Sequence, residues 1–181
     1  MSGIRPRALV VVAAMSTTVL AAGCDHEPAI GNQTASTATA FAAPYTTVDP
    51  CSGGAVLAAA ISAVFTYRPD IQADQRVAFQ NAKPLLTAEF AVAGESAATV
   101  LTPITAARWQ RWRTQLVSVT ATARTTGDDH PPDTATSMSR VLAVDLYPGD
   151  TIPAMGFAVY AHAVRSGLSG PWLVAGLEVI G

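Results

Sequence analysis

The chain has 181 residues, a formal net charge of −2, 50% hydrophobic residues and only 13% charged ones, which suits one compact domain plus a processed segment. Lys83 is the only lysine, and the part after residue 23 keeps every acidic side chain but loses Arg5 and Arg7. A net acidic domain is a poor nucleic-acid binder, because that affinity rests on Lys and Arg neutralising phosphates.

The first segment reads as an export signal. Arg5 and Arg7 form a short positive region, and Ala8 to Ala22 is an apolar run softened by Ser16, Thr17 and Thr18. The run falls short of the roughly 20 residues that span a bilayer, but it suits the hydrophobic region of a signal peptide. Small residues Ala21, Ala22 and Gly23 then lead directly into Cys24. This resembles the lipobox of bacterial lipoproteins, with one departure: the Leu usual three residues before the cysteine is here Ala21, and Leu20 stands one step further back. The resemblance implies removal of residues 1–23, a diacylglyceryl group on the Cys24 thiol, acylation (palmitate-type) of the new N-terminus, and anchoring to the outer face of the cytoplasmic membrane. Two or three acyl chains, at about 0.8 kcal/mol per buried CH₂, hold a protein stably. The competing reading is an ordinary cleavage site, with Cys24 disulfide-bonded to Cys51 in an oxidising compartment.

Residues 24–50 read as a flexible tether. The run from Gln33 to Ala40 is small and polar with no helical or strand period, so it buries too little to offset its ordering entropy. Its clustered threonines offer sites for O-glycans.

The folded domain is expected over residues 51–181. From Gly53 to Phe65 there is no charge, and Val56, Ala60, Val64 and Leu57, Ile61, Phe65 form i, i+4 rows, which predicts a buried helix stopped by Arg68-Pro69. A second helix is expected from Asp70 towards Ala82, a third from Leu85 to Val92 ending at Gly94, and a fourth from Ile104 to about Gln115. The period then changes. Val117, Val119, Ala121 and Ala123 alternate with polar residues, which predicts a half-buried strand. Gly127 to Asp133 is a loop. Met138–Tyr147, Phe157–Val164 and Trp172–Ile180 are three more strands, separated by Pro148-Gly149-Asp150 and by Ser166 to Pro171. Helices followed by closely spaced strands predict an α+β domain, with helices packed on an antiparallel meander.

The apolar first helix, the helix Ala107-Arg108-Trp109-Gln110-Arg111-Trp112 and the strand opening Gly170-Pro171-Trp172-Leu173-Val174 together resemble the NTF2-like (cystatin-like α+β roll) superfamily over about residues 52–181. More narrowly, the chain is similar to small actinobacterial exported or membrane-tethered members associated with Mce-type lipid import or conjugal transfer. The resemblance implies a curved four-stranded sheet forming a cone with the helices. The fold hosts unrelated functions, so it carries over no site residues.

Candidate chemistry is thin. Arg108-Trp109-Gln110-Arg111-Trp112-Arg113 could sit at a membrane interface or against a partner. The simpler reading places Trp109 and Trp112, three apart, against the sheet, with Leu116 continuing the stripe and the arginines solvated. Asp128, Asp129, His130 and Asp133 are ligand types for divalent ions, yet a Pro-containing loop uses such residues for turns, so no metal is expected. His162 shares a strand face with Tyr160 and Val164, and pairing with Asp145 would suit a proton-transfer base. Cys51 has no basic neighbour in sequence to activate it. There is no phosphate-cradling Gly loop, CxxC or GxSxG.

The expected function is therefore non-enzymatic: a lipoprotein without cofactors, tethered to the membrane through Cys24. It would bind a partner protein or an apolar ligand in an envelope transport or secretion assembly, with Trp109, Trp112, Tyr160, His162 and Trp172 as the candidate surface. The alternatives are a hydrolase or isomerase with His162 in the cone, and a purely structural subunit of an envelope complex.

Overall fold

The computed structural model describes residues 38–149 and 155–180. Helices α1 (Gly53–Val64), α2 (Arg76–Ala82), α3 (Ala88–Ala97) and α4 (Ala106–Thr114) precede strands β1 (Val119–Thr125), β2 (Ser137–Pro148), β3 (Met155–Arg165) and β4 (Trp172–Ile180). The strands form one antiparallel sheet in the order β1-β2-β3-β4. The architecture is α+β, with helices packed on a meander.

Helix α1 is the core helix its i, i+4 rows predict. Ser52 caps it by accepting the Ala55 N–H at 3.2 Å. Val56, Leu57, Ala60, Ile61 and Val64 are buried, and Phe65 closes the row. Each large apolar side chain so buried stabilises the fold by about 1.5–3 kcal/mol. The opposing sheet face supplies Leu142, Val144 and Leu146 from β2 and Val159, Ala161 and Ala163 from β3.

The helix stops at Val64, short of Arg68-Pro69, because the next residues serve β1. Tyr67 exchanges backbone hydrogen bonds with Val119, at 2.8 and 2.9 Å. Thr66 Oγ1 accepts the Ala121 N–H at 3.1 Å, and Ser62 Oγ accepts the Ala123 N–H at 3.1 Å. The outer edge of β1 is thus closed at every second residue, which blocks edge-to-edge pairing there.

The helix expected from Asp70 begins only at Arg76. The carbonyls of Pro69, Gln72 and Ala73, which helical bonding would use, instead accept from the Arg113 guanidinium. Ile71 lies on that loop, exposed.

The third helix is also displaced. Leu86 is extended and bridges Val174. Thr87 then caps α3 by accepting the Phe90 N–H, and the helix runs through Gly94 to Ala97. Gly94 is a close-approach residue rather than a terminator, since an added Cβ would meet Phe79 Cζ at 2.5 Å.

Helix α4 ends at Thr114, followed by Leu116 at φ 54°. The Val117 N–H donates to Trp112 O and the Leu116 N–H to Arg113 O, a left-handed helix end that glycine usually serves. Leu116 is 76% exposed, so it does not continue the tryptophan stripe.

The domain begins upstream of residue 51. Ala38 and Phe41 are buried, and Tyr45 and Val48 pack on the same core. The Tyr45 hydroxyl donates to Asn81 O at 2.9 Å, and Pro50 O accepts the Trp172 N–H at 2.9 Å. Residues 38–50 are therefore part of the domain rather than of the expected tether. The signal segment, Cys24 and the tether up to residue 37 lie outside the described residues.

Candidate functional site

The five candidate residues fall on two sides of the sheet. Trp109 and Trp112 are 4% and 6% exposed and belong to the core. The Trp109 ring packs edge-on against Tyr67, with centroids 5.5 Å apart, and its buried Nε1 has no hydrogen-bond partner among the described residues. Trp172 is buried beside α1, where a Cβ at Gly53 would lie 3.1 Å from the indole. The Arg165 guanidinium lies 4.9 Å over the Trp172 ring. The three tryptophans are packing groups. Among the arginines of α4, Arg113 is not solvated but holds the loop before α2.

Tyr160 and His162 alternate with the core residues Val159, Ala161 and Ala163, so they lie on the sheet face turned away from α1. They share no interior space with Trp109 and Trp112. His162 stands opposite Ser139 on β2 and Gly176 on β4, and its Nδ1 is 3.1 Å from Ser139 Oγ. Asp145 stands opposite Gly156 and pairs with Arg124 at 3.0 Å, so the expected His162–Asp145 pair does not form. The buried Ser139 hydroxyl makes the serine–histidine contact a cross-strand tie. Val141, Ala143, Ala158 and Tyr160, between these two polar pairs, are half-buried. This sheet face is a mixed apolar and polar surface.

The acidic loop is organised by Arg140. Its guanidinium binds both Asp133 carboxylate oxygens and holds that carboxyl below the usual range. His130 Nδ1 is 4.0 Å from Asp133 Oδ1. Among the described residues, no three His, Cys, Asp or Glu side chains are grouped for a metal ion.

A cleft that sequence reading missed lies on the other side of α1. Ala59, Ser62, Ala63 and Thr66 form its floor, and Ala43–Tyr45 and residues of the α1–α2 region form its walls, leaving an open cleft of about 750 Å³. Tyr45 closes one side, and burial pushes its phenol pKa up. The signal is a second i, i+3, i+4 stripe on α1, Ala59, Ser62 and Ala63, extended past the helix end by Thr66, but its members are small beside the larger apolar rows.

Cys51 is disulfide-bonded, and its N–H donates to Asp49 Oδ1. The one other cysteine of the sequence is Cys24. No helix of the described residues is long and apolar enough to cross a membrane. Comparison with family models, curated proteins and solved structures finds no match to this chain.

Proposed function

We propose that the chain is an exported protein held at the outer face of the cytoplasmic membrane by lipid on Cys24, displaying its α+β domain as a partner-binding module of an envelope assembly. The observation that carries this reading is the order of the N-terminal segment: Arg5 and Arg7, the apolar run, then Ala21-Ala22-Gly23-Cys24. The packed tryptophans favour partner binding over a ligand held between Trp109 and His162. The half-buried sheet face around Tyr160 and His162 is the surface a partner would meet. Helices followed by a four-stranded meander support the NTF2-like roll as the finer fold.

The test is fractionation of the Cys24→Ala protein with labelled fatty acid. Loss of label and release from the membrane support the anchor. Full retention with label incorporated would defeat it.

A second reading is favoured by the state of Cys51: a disulfide between Cys24 and Cys51. One thiol cannot hold both a diacylglyceryl thioether and a disulfide. Both readings require export, because a structural disulfide needs an oxidising compartment. They differ on the anchor alone.

A further inference from the structure

The cleft beside α1 has an end where the hydrogen-bonding groups left for a ligand are donors. Gln72 is 7% exposed. Its backbone N–H donates to Arg68 O at 2.8 Å, and its backbone carbonyl accepts from Arg113. Its side-chain Oε1 accepts the Arg68 backbone N–H at 2.8 Å. A backbone N–H can bond only the oxygen of a side-chain amide, so the orientation of this amide follows from the network. The Nε2 group therefore lies on the other side, makes no hydrogen bond among the described residues, and belongs to a residue of the cleft wall.

Arg68 adds to the same end. Its Nε and Nη2 engage Asp70 at 3.1 and 3.0 Å, which leaves Nη1 for another acceptor. Ser62 Oγ and Thr66 Oγ1 already accept from β1. Of the remaining lining, Ala43, Pro44, Ala59, Ala63 and Pro84 are apolar, and Tyr45, Gln80 and Asn81 add polar groups at the rim. A concave apolar site of this volume with a few convergent polar groups is the usual form of a small-molecule pocket.

We propose that this cleft binds a small monocarboxylate amphiphile, of the medium-chain fatty acid class. The carboxylate oxygens accept from Gln72 Nε2 and Arg68 Nη1, and the apolar body lies along Ala59 and Ala63. Gln72 Nε2 and Arg68 Nη1, neither bonded to another described residue, each gain an acceptor, and the guanidinium shares its charge between Asp70 and the ligand. The proposal is independent of how the chain is attached to a membrane.

Isothermal titration of the full mature chain with decanoate, and separately with decyltrimethylammonium, tests it. We expect saturable binding of decanoate, with the cationic amphiphile at least tenfold weaker. Ala63→Phe, which fills the cleft, and Arg68→Ala, at an exposed side chain, should each weaken decanoate at least tenfold. Gln72→Leu should do the same, and the other two variants keep the test valid if Gln72→Leu fails to fold. The proposal is overturned by no saturable decanoate binding, by equal binding of the two amphiphiles, or by decanoate binding unchanged in Ala63→Phe and Arg68→Ala.

Discussion

Phe79 of α2 occupies the space that a Cβ on residue 94 of α3 would need. The ideal Cβ position at Gly94 lies 2.5 Å from Phe79 Cζ and 3.0 Å from Phe90 Cε2. The two phenyl rings themselves pack edge-on, with centroids 5.5 Å apart. Helix propensity alone would make Gly94→Ala stabilising by about 1 kcal/mol. Phe79 is fully buried and cannot swing away, so overpacking of about 1–3 kcal/mol should win. We expect Gly94→Ala to lower the denaturation midpoint. A raised midpoint would mean that α3 moves off α2 at little cost.

Leu116 gives the opposite sign. It sits in left-handed backbone at φ 54° with its side chain 76% exposed. The left-handed conformation costs a non-glycine residue about 1–2 kcal/mol, partly offset by the greater chain entropy of glycine. Leu116→Gly should therefore raise stability by about 0.5–1 kcal/mol, read by chemical denaturation. A loss would show that the exposed leucine is held by contacts.

Arg113 ties α4 to the loop before α2 through three carbonyls. Hydrogen bonds to a charged group are worth about 1.5–3 kcal/mol, and the planar guanidinium reaches several acceptors at once, which an ammonium cannot copy. Arg113→Lys should cost about 1–3 kcal/mol and raise hydrogen exchange over residues 69–75. Unchanged exchange there would detach Arg113 from the loop.

Burial lifts the Tyr67 phenol well above the ordinary tyrosine range, against the smaller opposing effect of its bond to Thr102 at 3.1 Å. The unfolded phenol ionises near pH 10 while the folded one stays protonated. This contribution is fully present below about pH 10 and is lost as pH rises towards the folded value. Stability should fall above about pH 10, and Tyr67→Phe should flatten that slope. An equal slope in Tyr67→Phe would assign the alkaline loss to other groups.

Much of the fold was legible because strong periodic signals faced no competitor. The rows Val56, Ala60, Val64 and Leu57, Ile61, Phe65 all reached the core, and β4 begins at Trp172 and ends at Ile180 as expected. Misreadings arose where distant side chains override local preference. Asp70–Gln75 would continue a helix but for Arg113, some 40 residues away. Gly94 reads as a helix stop until Phe79 is placed against it. Phe41, Tyr45 and Val48 fall within the segment read as a tether, where small polar residues surround them and no period marks them. The candidate surface was the least legible part. Whether Trp109 and His162 share a space depends on which sheet face the helices cover, and alternation along a strand does not say which face is inside. The cleft depends on Ala59 and Ala63 being small, which carries little weight in a hydropathy pattern.

The export and anchoring claim is tested most directly by intact mass and peptide mapping of the chain purified from the membrane fraction. We expect a polypeptide that begins at Cys24 and carries a diacylglyceryl group on that residue. A chain that retains residues 1–23, or an unlipidated Cys24 joined by a disulfide to Cys51, would contradict the lipid anchor.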